Sequence, residues 1–97
     1  MMNRAVYTDG SRPEHLGDKY RVYALRLEDG GLVKVHIGRP VSFRTFAETF
    51  IFQHPELVNE KTKFILQVSQ IVGLEKIPNS NKPDFELTAT GQLLEIG

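Results

Sequence analysis

The sequence lacks several features that would point to particular classes of protein. None of its 97 residues is cysteine, which excludes a disulfide framework, thiolate catalysis and thiolate metal sites. No apolar run approaches the length of about 18 residues that a membrane-spanning helix needs. The first residues, Met1 to Arg4, also lack the apolar stretch of a secretory signal. We therefore expect a cytoplasmic protein with no membrane partner.

The sequence also has no excess charge of either sign, since 12 basic residues balance 12 acidic ones. This balance weighs against a strong attraction of the whole chain to nucleic acids or acidic membranes. The charges are unevenly distributed, because the first 50 residues hold 8 basic and 6 acidic groups and the rest hold 4 and 6. The first half contains every arginine: Arg4, Arg12, Arg21, Arg26, Arg39 and Arg44. Chance is one interpretation, and an arginine-bearing surface for an acidic partner is the other.

The length is that of one domain, and we treat residues 1–97 as a single unit. A charged fraction of 25%, with six phenylalanines and three tyrosines, is typical of a globular domain and not of a disordered chain. Residues 5–8 predict a short strand. Residues 9–18 are rich in glycine, proline and aspartate and predict a loop.

The clearest local pattern is a β-hairpin. Apolar and polar residues alternate along 23–27 and again along 33–37, which is the period of strands with one buried face. Matching the two apolar faces places Leu25 opposite Val35. This register predicts a three-residue loop over residues 29–31, with one glycine in the left-handed conformation.

A phenylalanine-rich helix over residues 42–53 follows the hairpin. Ser42 is a suitable N-cap, and Arg44 and Glu48 are spaced to form an ion pair on the exposed side. One apolar stripe is formed by residues at helical spacing: Phe43, Phe46, Ala47 and Phe50. The helix should end by Gln53, because His54 precedes a proline and is disfavoured in the helical region.

The second half of the chain is more ambiguous. Pro55 predicts a short second helical turn through Val58. Residues 63–77 fit a helix or a strand, and we favour a strand because β-branched residues are frequent and Gly73 suits a bulge. Residues 85–96 then predict a partner strand with a kink at Gly91.

These elements have the order ββ(β)–α–ββ. They predict an α+β fold in which an antiparallel sheet of four to five strands carries one phenylalanine-rich helix. Apolar residues occur on both sheet faces, as where Ile65 adjoins Leu66 and where Ile71 adjoins Val72. Because one helix cannot cover two faces, either the sheet curls into a partial barrel or a second subunit covers it as a homodimer.

One segment suggests a catalytic alternative. The run Val6-Tyr7-Thr8-Asp9-Gly10-Ser11 resembles the first strand of ribonuclease H-like nucleases, in which a strand carries "TDGS", two strands follow, and a helix supplies a catalytic glutamate. The resemblance implies two-metal phosphodiester hydrolysis, with Asp9 and Glu48 as the carboxylates. The family's further strand aspartate has no counterpart in residues 64–70. We therefore assign no catalytic residue and keep a shortened relative as an alternative.

Several side chains are candidates for partner contact. The predicted register places Arg26 opposite Lys34 on the face of the hairpin away from the core, with His36 nearby. A like-charged pair is tolerated on a solvated face or retained for an anionic partner. Tyr20 lies close along the strand, where its ring is placed to stack on a nucleic-acid base.

A further contact is expected at the end of the helix. Phe52, with Ile51 beside it, lies off the apolar stripe. Either the helix ends early, or a second layer covers this side chain, or the two residues form a partner or self-association contact. His15, His36 and His54 lack the spacing of zinc ligands, so we predict no metal site and no cofactor.

These observations favour a small non-enzymatic interaction or regulatory module that acts through a sheet face or edge. Its expected partner is another protein or a second copy of the chain. One alternative is a nucleic-acid-associated domain of the ribonuclease H-like type described above. The other is a small-molecule-binding or isomerase-type domain with its pocket between helix and sheet.

Overall fold

The computed structural model describes residues 21–96 and shows an α+β fold with two sheets. The strands are β1 (Val22–Leu27), β2 (Leu32–His36), β3 (Glu56–Asn59), β4 (Phe64–Gln67), β5 (Ile71–Ile77), β6 (Phe85–Leu87) and β7 (Leu93–Glu95). The helical segment between β2 and β3 consists of α1 (Phe43–Thr45) and a π-helical stretch (Phe46–Ile51), and a 3-10 turn (Val68–Gln70) separates β4 from β5. The strand and loop predicted for residues 5–18 lie outside the described residues.

The larger sheet has five strands in the order β5-β1-β2-β6-β7, and β3 and β4 form a separate two-stranded sheet. All neighbouring pairs are antiparallel except β2 and β6, which are parallel. The prediction of a purely antiparallel sheet is therefore wrong. A parallel pair needs a long crossover between its strands, and the helical segment with β3, β4 and β5 supplies it.

The first hairpin has the predicted faces but a different register. Leu25 lies opposite Val33 and not Val35, and the three-residue loop spans 28–30. The shift arises because Gly30, with φ of 93°, takes the left-handed position of the loop. The next glycine, Gly31, has no positive φ, and its N–H donates to Asp29 Oδ1 at 2.7 Å. A shift of two residues leaves every side chain on its predicted face.

The start of the helical segment is confirmed. Thr45 N–H donates to Ser42 Oγ at 3.1 Å, and Arg44 Nε lies 3.0 Å from Glu48 Oε2. The segment is shorter than predicted, and its second part is π-helical.

The π-helical stretch changes which side chains reach the core. Phe52 N–H donates to Ala47 O at 2.8 Å, a bond that closes a turn wider than an α-helical one. Ile51 therefore lies on the same side as Phe46 and Phe50 and is fully buried. The prediction of Ile51 as a contact residue is wrong for this reason.

The second half of the chain corrects the prediction for residues 56–59 and bears out in part that for residues 63–77. Residues 56–59 form β3 and not a helical turn, because Leu57 is buried opposite Leu66 of β4 in an antiparallel pair. The strand prediction for 63–77 is confirmed in part, because the segment forms two strands in different sheets, β4 and β5, separated by the 3-10 turn. The β1–β5 ladder skips one residue beside Gly73.

The predicted partner strand near the C-terminus is in fact a hairpin. β6 and β7 pair with each other in antiparallel orientation. Gly91, with φ of 87°, lies in the turn between them and not at a kink within one strand. Its N–H donates to Thr88 O at 3.0 Å, and this bond closes the turn.

One core joins both sheets to the helical segment, as predicted for a phenylalanine-rich helix packed on a sheet. Its buried members are Tyr23, Leu25, Val33, Val35, Ile37, Phe46, Phe50, Ile51, Leu57, Leu66, Leu87 and Leu93. At its centre the rings of Tyr23 and Phe46 stack with centroids 3.6 Å apart and planes within 5°. Among the described residues, no helix is long and apolar enough to cross a membrane.

Alanine at the two glycines with positive φ, Gly30 and Gly91, should lower the free energy of unfolding by different amounts. Gly30→Ala meets no atom within 4 Å and adds only the left-handed backbone penalty of about 1–2 kcal/mol. At Gly91 a Cβ would also lie 3.0 Å from His54 Cγ, so we expect Gly91→Ala to lose about 1–3 kcal/mol more. Urea unfolding measures both, and His54→Ala should recover part of the excess only in the Gly91→Ala background. Equal losses at the two glycines would contradict this packing.

The core also predicts a dependence of stability on alkaline pH. Burial raises the pKa of Tyr23 from 10.0 to about 12, so the unfolded chain loses this proton at lower pH than the folded chain. The free energy of unfolding should therefore fall as pH rises from 10 towards 12, by about 1.4 kcal/mol per pKa unit at most. Urea unfolding of Tyr23→Phe across the same range should lack this component. Identical pH slopes for the two proteins would show that Tyr23 ionises normally.

Candidate functional site

Three predicted contact residues, Arg26, Lys34 and His36, share the outer face of the five-stranded sheet. The predicted pairing of Arg26 with Lys34 is wrong, because the hairpin register is shifted by two residues. Arg26 instead lies opposite Leu32, and Lys34 lies opposite Ala24.

This outer face carries charges of both signs. Arg26 Nη2 donates to Glu75 Oε1 of β5 at 2.9 Å, and His36 lies beside Glu86 in the parallel β2–β6 pair. The like-charged pair that suggested an anionic ligand is therefore replaced by a mixture of charges. A contact role for these residues stays a prediction.

The remaining predicted residues are not brought together. Tyr20 and Asp9 lie outside the described residues, so the carboxylate pair of the nuclease resemblance cannot be placed. Glu48 is exposed and pairs with Arg44. Phe52 follows the helical segment with 59% of its surface exposed. Within residues 21–96, no group of three or more histidine, aspartate or glutamate side chains is arranged to hold a metal.

A groove lies where the second sheet meets the first. β3 and β7 are joined by one parallel bridge, between Val58 and Gln92, with Val58 N–H donating to Gly91 O at 3.0 Å. A groove of about 320 Å³ lies along this junction. We call it the β3–β7 groove, and its lining residues are Val58, Asn59, Glu60, Lys61, Gln92, Leu93, Leu94 and Glu95.

The main chain of β7 faces this groove at alternate residues. Thr88 N–H donates to Gln92 O at 2.9 Å, so Gln92 and, two residues on, Leu94 direct their main-chain groups towards β6. The main-chain N–H and C=O groups of Leu93 and Glu95 therefore point towards β3. In the part of the chain that the structure describes, β3 and β7 share a single bridge. β7 is therefore unpaired on this side at Glu95 and resembles an edge strand, to which another strand can be added.

Hydrogen bonds between side chains cross the groove. Asn59 Nδ2 donates to Glu95 Oε2 at 2.9 Å, and Gln92 Nε2 donates to Glu60 Oε2 at 3.4 Å. Asn59 is only 1% exposed, and its other amide atom, Oδ1, accepts from Thr62 N–H at 2.8 Å. Both functions of this buried amide are thus satisfied, and two carboxylates from opposite sides of the groove are held by amide groups.

An aromatic contact joins the two sheets at the same end. Phe64 lies opposite Asn59 in the β3–β4 pair, and Phe85 lies opposite Glu95 in the β6–β7 pair. The two rings stack with centroids 5.7 Å apart and planes within 10°. The sheets are therefore linked here by side chains more than by main-chain pairing.

Sequence reasoning missed this site, because Val58 and Gln92 are distant along the chain and no local pattern makes them neighbours. One signal was present: Asn59 occupies the same face of its strand as the apolar Leu57, and a polar residue at such a position needs buried partners. Of its two partners, Thr62 is three residues away in the turn after β3, whereas Glu95 is brought close only by the fold.

Comparisons with known proteins gave no match for this chain, so its function is inferred from the geometry of the groove. No family model matches the chain, and neither a curated protein nor a solved structure matches it.

Proposed function

We propose that the protein is a non-enzymatic protein-interaction module that binds an extended segment of its partner at the β3–β7 groove. The observation that carries this proposal is the junction of two strands at one bridge, with main-chain groups of Leu93 and Glu95 turned towards the groove. An extended segment added to such an edge forms main-chain hydrogen bonds, and its alternate side chains gain specificity from the lining.

The lining suits a peptide. Val58 and Leu94 supply apolar surface, and Leu94 is 42% exposed, so part of its side chain remains available for contact. The half-buried Gln92 is the polar side chain beside them, whereas the amide of Asn59 is buried and already bonded to Glu95 and Thr62. Apolar surface beside hydrogen-bonding groups is the composition of strand-addition sites, in which affinity comes from the main chain and selectivity from the side chains.

The small-molecule alternative placed a pocket between helix and sheet. At that position the rings of Tyr23 and Phe46 are in direct stacking contact, which weighs against a pocket between these two elements within residues 21–96. The groove lies instead between two strands, where an extended chain has main-chain partners.

The nucleic-acid alternative fits the groove poorly. Glu60 and Glu95 line it with Lys61 as the accompanying cation, and two carboxylates repel a phosphate backbone. On the outer sheet face, Arg26 is already paired with Glu75. A protein partner is therefore the better supported class.

The test is an NMR titration with an end-blocked, seven-residue peptide of alternating valine and threonine. We expect saturable shifts confined to the amides of residues 58–61 and 92–95, and we expect none with a peptide methylated at alternate main-chain nitrogens. Glu95→Pro should abolish the shifts, because proline removes the N–H that faces the groove while the Leu94 bonds to β6 remain. Glu95→Ala keeps that N–H and should still bind.

Two results would contradict the proposal. One is an absence of saturable shifts in the wild-type protein. The other is a set of shifts confined to Arg26, Lys34 and His36, which would assign the contact to the outer sheet face. The methylated peptide keeps the test decisive even if Glu95→Pro fails to fold, because it changes only the ligand.

A further inference from the structure

We infer that His54 is a latch on the β3–β7 groove, a contact that keeps the junction of the two strands closed and thereby lowers its affinity for an extended segment. The effect on binding rests on the proposed function. The latch itself consists of contacts within the chain, so its opening is measured without a ligand.

The turn between β6 and β7 is attached at two points to the segment that leads into β3. At one point His54 Nε2 lies 2.9 Å from Ala89 O, and since a carbonyl oxygen only accepts, the imidazole is the donor. At the other point, Val58 N–H donates to Gly91 O at 3.0 Å. The His54 ring also lies against Gly91, where an added Cβ would be 3.2 Å from Nδ1. The side chain of His54 therefore holds the turn whose carbonyl group bonds to β3.

His54 is itself fixed to the core. Its N–H donates to Ile51 O at 3.1 Å, and Ile51 is fully buried. His54 is half-buried and Ala89 is exposed, so water can replace the imidazole at Ala89 O when the bond breaks. A hydrogen bond exchanged for one to water changes an equilibrium by about three- to tenfold. The His54 bond is thus strong enough to favour the closed junction and weak enough to open.

Closure of the junction competes with strand addition. An extended segment that pairs with the main chain of β7 at Glu95 needs the space that the Asn59–Glu95 hydrogen bond of 2.9 Å spans. The segment therefore enters only when this bond and the adjoining Val58–Gly91 bond open. Apparent affinity falls with the fraction of molecules in the binding-competent state, so each contact that favours the closed junction weakens binding.

Among these contacts, the His54 bond is the one that can be lost without disturbing the core. Asn59 is 1% exposed and its amide also accepts from Thr62 N–H, so replacing it leaves buried groups unpaired. The acceptor of the His54 bond belongs to an exposed residue. Loss of this bond therefore opens the junction and leaves the rest of the fold in place.

Hydrogen exchange of the Val58 amide measures this opening. His54→Asn is too short to carry a donor to Ala89 O, whereas His54→Gln places its amide nitrogen close to the position of Nε2. We expect the Val58 amide to exchange about three- to tenfold faster in His54→Asn and at the wild-type rate in His54→Gln.

Two controls show whether the effect is confined to the junction. The Thr45 amide, at the start of the helical segment, bonds only to the Ser42 cap and should keep its exchange rate in His54→Asn. His36→Asn removes a histidine from the outer sheet face and should leave the Val58 rate unchanged. An unchanged Val58 rate in His54→Asn, or an equal rise at Thr45, overturns the latch.

The tautomer of His54 gives a separate readout. At about pH 8, where imidazole is ordinarily neutral, ¹⁵N spectra of the side chain should show the ring hydrogen on Nε2. A hydrogen on Nδ1 would leave Ala89 O without its donor and would also overturn the latch.

The binding measurement uses the valine–threonine peptide of the proposed function. We expect His54→Asn to bind it more tightly than the wild type, by the factor by which Val58 exchange rises, and His54→Gln to bind it like the wild type. Faster exchange of Val58 with no gain in affinity overturns the control of binding by His54 and leaves the groove as a peptide site. Binding by neither the wild type nor His54→Asn overturns the proposed function together with it.

Discussion

The ring stack between Tyr23 and Phe46 is the contact on which the rest of the structure depends. Tyr23 lies on β1, which is flanked by β5 and β2, and Phe46 begins the π-helical stretch. A centroid distance of 3.6 Å attaches the helical segment to the larger sheet, and Phe50 extends the aromatic contact at 6.0 Å. Large buried rings contribute much of the energy of a small core. Among the described residues, these rings pack directly against one another between the helical segment and the larger sheet.

The junction of β3 with β7 is held very differently. It has one main-chain bridge, the Asn59–Glu95 hydrogen bond and the Phe64–Phe85 stack. A junction with few main-chain bonds opens at lower energetic cost than a complete ladder, and binding regions are drawn from such parts of a structure. The satisfied amide of Asn59 keeps the junction specific, because a buried amide without partners would be costly. The junction therefore has few main-chain hydrogen bonds, but the bonded side chain of Asn59 fixes how the two strands meet.

Much of the local structure was predictable because its causes are local. The alternation in the first hairpin assigned its buried face, Ser42 marked the start of the helical segment, and the spacing of Arg44 and Glu48 predicted their ion pair. The errors also have local physical causes. Either of two adjacent glycines suits the left-handed position of the hairpin loop, so the register was two residues off. A π-helical turn holds more residues than an α-helical one, so Ile51 is buried and the α-helical wheel misplaced it.

The sequence by itself determined the periodicity of the strands, the helix cap, the charge balance and most of the apolar core, because these depend on residues within one or two turns or one hairpin. Only the tertiary structure decided the parallel pairing of β2 with β6, the conversion of residues 56–59 into β3, and the meeting of Val58 with Gln92. These features depend on contacts between residues far apart in the chain, where tertiary packing overrides local preference. The candidate site belongs to this second group, since Asn59 meets Glu95 and Gln92 meets Glu60 only when both hairpins are in place.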